Sequence, residues 1–137
     1  MKRIVFADTG YWVALIHPRD SLHDVATAVS QELGEFSIVT SDMVLAEVLN
    51  MFSGKGQLRG LAAQTVNEIT GDATIQVVPQ TRQLFQDALR LYQDRGDKDW
   101  SLTDCASFVI MQRLKLTEAL TDDQHYIQMG FTALLKA

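Results

Sequence analysis

The chain has 137 residues, 47% of them apolar and 21% charged, with a formal net charge of −5; this is the balance of one globular domain, residues 1–137, with a substantial core. A single cysteine, Cys105, excludes a disulfide framework and a cysteine-built zinc site, no apolar run is long enough to span a membrane, and MKRIVFADTG lacks the layout of a signal peptide, so a cytoplasmic location is expected. The acidic balance argues against holding nucleic acid by surface charge alone, but not against an enzyme acting on it, because clustered carboxylates are neutralised by divalent metal.

In chain order, Lys2–Ala7 (KRIVFA) predicts a first strand ending at Asp8-Thr9-Gly10, and Tyr11–Ile16 a buried turn of helix broken by His17-Pro18. Ser21-x-x-Asp24 reads as a capping box opening a helix to about Leu33, with Gly34 as its stop. Phe36–Thr40 is a second strand, after which Ser41 or Asp42 caps the helix MVLAEVLNMF. The glycine-broken segment SGKGQLRG ends that helix, and Leu61–Ile69 is helical again until Gly71. Thr74–Pro79 is a third strand, Gln83–Tyr92 a helix, and DRGDKD a polar loop leading into Trp100–Met111 (WSLTDCASFVIM), a helix apolar on most sides. Leu116–Thr121 is a fourth strand, Asp122–Met129 a short helix stopped by Gly130, and Phe131–Leu135 a last strand. Alternating strands and helices, with strands that are apolar throughout, predict a three-layer α/β/α sandwich around a parallel sheet.

In such a sheet the C-terminal ends of the strands share one edge, where ligands bind. Four acids fall there. Asp8 ends the first strand, Asp123 follows the fourth by two residues, and Asp104 lies in the first turn of the helix leading to that strand. Glu47 sits about a turn and a half into the helix after the second strand, on the border of an apolar arc of Val44, Leu45, Val48, Leu49, Met51 and Phe52.

Three of the acids have an ordinary explanation, whereas Asp8, a charge ending a central strand, needs partners. Asp104 with Ser101 forms an S-x-x-D capping box, Asp123 can cap its short helix against a rival Thr121-x-x-Gln124 box, and Glu47 can be a helix-edge glutamate. Taken together, these explanations gather four like charges at one edge without a cation, which repulsion opposes. A hard divalent ion removes the difficulty, and an all-oxygen set points to Mg²⁺ or Mn²⁺.

These blocks resemble the PIN-domain family, and within it the VapC-type ribonuclease toxins of toxin–antitoxin pairs, over nearly the full length. FADTGYWVALIHPRDSLHDVA, SDMVLAEVLN, DWSLTDCASFVIM and ALTDDQHYIQMGF carry the resemblance in order. The last block pairs an aspartate with His and an aromatic two and three residues on, which selects Asp123, with His125 and Tyr126, over the adjacent Asp122. The resemblance implies strand order 3-2-1-4-5 and a metal-dependent endoribonuclease with Asp8, Glu47, Asp104 and Asp123 at its centre. Asp8, Asp104 and Asp123 would hold the metal, and Thr9 and Thr121 would supply supporting hydroxyls. The implied reaction is in-line hydrolysis of RNA, leaving 5′-phosphate and 3′-hydroxyl ends.

Lys55 and Arg59 are candidate phosphate contacts, or ordinary surface charges on a solvated loop. Tyr11, Trp12 and the Leu58–Leu61 region suit either a groove for an antitoxin segment, homodimer contacts, or, for the two aromatics, plain core packing. The third strand ends Val78-Pro79, not in the phosphoacceptor aspartate of a receiver domain. Position 10 is Gly, not the second aspartate of a haloacid-dehalogenase-like phosphatase. Phosphate-binding glycine loops are absent. A chromosomal RNA-processing or DNA-structure nuclease, or a PIN-like module that binds without cleaving, would share the pattern; the second would have lost an acidic block, and none is lost.

Overall fold

A computed structural model describes residues 3–136, so the expected strand start at Lys2 lies outside the described residues. The strands are β1 (Arg3–Ala7), β2 (Phe36–Ser41), β3 (Ile75–Val78), β4 (Glu118–Leu120) and β5 (Thr132–Ala133). Every pairing is parallel, and the sheet order is β3-β2-β1-β4-β5, as expected. The helices are α1 (Thr9–Ile16), α2 (His23–Glu32), α3 (Asp42–Met51), α4 (Gln57–Gly71), α5 (Arg82–Asp94), α6 (Leu102–Arg113) and α7 (Gln124–Gln128).

The chain runs outward from β1 through β2 to β3, then returns past β1 to β4 and β5. Right-handed crossovers place α1 to α4 on one face and α5 to α7 on the other. Packing largely follows this division: α1 touches α2, α3 and α4, and α6 touches α5 and α7, while α3 and α6 also meet directly. Strand order therefore reverses between β1 and β4, and a crevice opens beyond their C-terminal ends.

The core holds each element by a specific contact. Val5, Phe6 and Ala7 of β1 are completely buried, which a central strand covered on both faces demands. Trp12 of α1 donates Nε1–H to Thr40 Oγ1 (3.2 Å), and Thr40 donates onward to the Ala7 carbonyl (3.0 Å), tying helix to strands. On the other face Phe108 of α6 lies edge-to-face with both Trp100 (5.1 Å) and Tyr126 (4.9 Å). Each such pair contributes about 0.5–1.5 kcal/mol beyond area burial, so α7, only five residues long, gains its fixed place from tertiary contacts. Gly34 (φ +68°) and Gly130 (φ +97°) follow α2 and α7 in the left-handed region, as their expected stop roles require.

Several local expectations are corrected. The Ser21-x-x-Asp24 box does not form: α2 begins after Leu22 without a side-chain cap, and Asp20 Oδ1 instead accepts from Leu22 N–H. Helix α4 begins at Gln57, so only Ser53–Gly56 of the glycine-broken segment is non-helical and Arg59 stands on a helix. The last strand is two residues rather than five. Tyr11 and Trp12 are buried core residues and contribute nothing to an exposed groove, whereas Leu49, Met51 and Leu61 are exposed.

The choice of cap for α3 resolves to Ser41, whose Oγ accepts from Val44 N–H at 3.2 Å. Asp42 instead accepts from Gln80 N–H, linking the start of α3 to the segment after β3. Because α3 carries Glu47, its cap fixes that side chain's entry to the crevice. Ser41→Ala should lower stability by about 1 kcal/mol in urea denaturation, and an unchanged midpoint would contradict this role for the hydroxyl.

Candidate active site

Three of the expected acids stand at helix starts, for a common reason. A carboxylate accepts the unsatisfied amides of a first turn and lies at the positive end of the helix dipole. Asp8 is the N-cap of α1 and accepts from Thr9 N–H at 2.8 Å. Asp123 is the N-cap of α7 and accepts from His125 N–H at 2.9 Å. Asp104 is the third residue of α6, in a complete capping box: its amide donates to Ser101 Oγ (3.0 Å) and its Oδ2 accepts from Ser101 N–H (3.1 Å).

A hydrogen-bonded chain joins them. Thr121 donates its hydroxyl to Asp8 Oδ2 (2.9 Å) and accepts from Asp123 N–H (3.1 Å). His125 Nδ1 lies 3.0 Å from Asp104 Oδ2 and 3.4 Å from Asp123 Oδ1. Facing two acceptors, that nitrogen must carry the proton to bond either. The Thr121 hydroxyl thus reaches a carboxylate of the first strand's end. The Thr9 hydroxyl does not reach a carboxylate: its Oγ1 is buried without a partner among the described residues.

Asp8, Thr9, Asp104, Asp123 and His125 line an open cleft of about 600 Å³ that also takes in Glu47 and Met51 from α3. Asp99 and Asp122 line it too, so six carboxylates face one space. Asp99 belongs to a stretch that reads in sequence as a plain polar loop; only its place just ahead of the Ser101 cap hints at the cleft. His125 was quoted in the closing block, but its part as the bridge between Asp104 and Asp123 was missed. The Asp-x-His spacing was the available signal. Lys55 and Arg59 do not line the cleft; Lys55 is exposed, and Arg59 donates Nη1–H to the Ser53 carbonyl at 2.8 Å.

Asp8 and Asp104 are each only 8% exposed. Burial pushes the Asp8 carboxyl up to about 6, with the neighbouring Asp104 charge adding to the rise and the Thr9 and Thr121 hydrogen bonds opposing it. Burial raises Asp104 as well, against the pull of its Ser101 and His125 partners. Tyr126, wholly buried and close to Asp8, is raised far above an ordinary phenol by the same desolvation.

The donor set suits a hard cation. One ligand atom from each of Asp104, Asp123 and His125 falls within a 4.8 Å group. Asp8 lies outside that group but lines the same cleft, as does Thr9. Asp123, half-buried, is the member of the adjacent pair within reach of Asp104; Asp122 is exposed on the cleft wall. Carboxylate oxygens clustered in this way suit a divalent cation.

The chain matches the PIN-domain model over residues 5–132. It belongs to the PIN-domain family. Among curated PIN relatives, it is 24% identical over 129 residues to the 23S rRNA-specific endonuclease VapC20 of Mycobacterium tuberculosis, covering 93% of this chain and 95% of that protein. The crystal structure of that VapC20, described as a sarcin–ricin loop cleaving toxin, superposes with a TM-score of 0.83 at 23% identity, over 93% of this chain and 96% of the other. The PIN fold is therefore shared across almost the whole length, and the acidic cleft lies at the reversal point of its sheet.

The raised Asp8 carboxyl has a consequence for stability. Between 3.8 and about 6 the folded state keeps a proton that the unfolded chain releases, so metal-free stability falls as pH rises through that window. The penalty is complete above it and amounts to at most about 3 kcal/mol. Asp8→Asn in EDTA should therefore be more stable than wild type above pH ~7 and show a flatter profile between pH ~4 and ~6. Denaturation midpoints falling in parallel for the two proteins would contradict the assignment.

Proposed function

We propose that this PIN domain is a divalent-metal-dependent endoribonuclease, and that it serves as the toxin of a toxin–antitoxin pair. The observation carrying this reading is the convergence of Asp8, Asp104 and Asp123 from three separate helix starts on one cleft, joined through Thr121 and His125. Helix capping alone requires no such convergence. Similarity to VapC20 along almost both chains supports the substrate class.

In this reading Asp104, Asp123 and Asp8 hold Mg²⁺ or Mn²⁺, and Glu47 completes the acidic wall from α3. When bound, such an ion supplies positive charge at the phosphoryl oxygens and a water of lowered pKa. The chain's own part is positioning. His125 holds Asp104 and Asp123 together, and the Thr121 hydroxyl fixes the Asp8 carboxylate. The capping amides keep all three acids from rotating away.

Lys55 on its loop and Arg59 on α4 serve as phosphate contacts outside the cleft. The exposed Leu49, Met51 and Leu61 supply apolar surface for an antitoxin segment or a second copy of the chain.

The test is incubation of the purified chain with ribosomal RNA containing the sarcin–ricin loop, in Mg²⁺ and then in EDTA. Cleavage should require the metal, and Asp104→Asn should fold normally while losing more than about a hundredfold in rate. Cleavage that persists in EDTA, or a fully active Asp104→Asn protein, would overturn the assignment.

A further inference from the structure

Among the described residues no lysine or arginine lines the acidic cleft, so a polyanionic strand entering it must find its favourable contacts nearby. A second cavity of about 710 Å³ adjoins it, and Asp99 and Ser101 wall both. Its remaining walls come from Leu89 and Tyr92 of α5, the loop carrying Arg95 to Trp100, and Leu102 at the start of α6.

Two planar groups face this space. The Arg95 guanidinium lies 4.9 Å from the Trp100 ring centre, while Asp97 accepts from its Nε and Nη2 at 3.0 and 3.1 Å. The guanidinium is thus held between the Trp100 ring and the Asp97 carboxylate, yet the side chain remains 39% exposed and lines the cavity. One turn earlier, Tyr92 stands 51% exposed on the same wall. Aromatic rings and arginine planes are the surfaces on which unstacked RNA bases sit. Lys98, 4.0 Å from Asp97, adds a cation at the cavity wall for an adjoining phosphate.

We propose that this cavity is a nucleobase subsite, which takes a base flanking the scissile phosphate and stacks it on Tyr92 and the Arg95 plane. The proposal rests on the ribonuclease reading above and deepens it. Continuity with the acidic cleft favours an RNA strand over a peptide: a strand bound across the metal-holding residues passes Asp99 and Ser101 to reach these walls.

The experiment is steady-state cleavage of ribosomal RNA in Mg²⁺ by wild type, Tyr92→Ala, Tyr92→Phe and Arg90→Ala, the last on the same helix but not lining the cavity. Tyr92→Ala should raise KM about tenfold, the size of one lost stacking contact, with kcat within about twofold. Tyr92→Phe, which keeps the ring, should restore the wild-type KM, and Arg90→Ala should leave it unchanged. Because Tyr92 is half exposed, its thermal melting should match wild type.

An unchanged KM in Tyr92→Ala, beside an active wild type, would overturn the subsite and leave the ribonuclease reading standing. An unchanged KM together with loss of binding to a co-expressed antitoxin would overturn it in favour of a protein-binding surface. A wild type that cleaves no RNA would overturn both, before any cavity variant is compared.

Discussion

Everything at the sheet edge depends on keeping several carboxylates close together in a place shielded from water. Asp8 and Asp104 are buried, the Asp104 charge raises the proton affinity of Asp8, and the Asp123 charge raises that of Asp104. Left to bulk electrostatics, such a group would spread apart or protonate. The fold restrains it with donors: the amides of Thr9, Ser101 and His125, the Thr121 hydroxyl and the His125 ring. Each donor sits on backbone already committed to a helix start or a strand end, so the cluster is as rigid as the sheet beneath it.

The cap and the ligand are therefore not competing roles. Asp104 Oδ2 receives both Ser101 N–H and His125 Nδ1, and Asp123 Oδ1 faces the His125 amide and ring. Their other oxygens take no part in these bonds and remain for the cleft. Strand order matters equally. Reversal between β1 and β4 sets Asp8 beside Thr121, 113 residues apart in sequence and 2.9 Å apart in space.

Most of this architecture was legible from the sequence because the signals were local and strong. Continuous apolar strands gave a parallel sheet, Ser101 and Asp104 gave a capping box that forms as drawn, and Gly34 and Gly130 gave helix stops that the backbone obeys. Where reading failed, a competing local hydrogen bond or tertiary packing had overruled the pattern. Ser21 and Asp24 have capping-box spacing, but Asp20 meets Leu22 first and the helix starts later. Leu49 and Met51 belong to an apolar arc in projection, yet the buried stripe is only Val44, Leu45, Val48 and Phe52, which leaves them at its two edges. Tyr11 and Trp12 suited surface or core equally until the Trp12–Thr40 bond placed Trp12 inside. His125 as a bridge and Asp99 as a wall depend on approaches between separate segments, and the Arg95–Trp100 contact on how one loop folds back, none of which spacing along one helix encodes.

The central claim is that these acids share a cation. Crystals grown with Mn²⁺, with anomalous diffraction collected at its absorption edge, test it most directly. The account predicts a peak within bonding distance of Asp104 and Asp123, on the side of the cleft that Asp8 lines. Crystals that bind Mn²⁺ only elsewhere on the molecule, with these carboxylates still paired to His125 and Thr121, would contradict it.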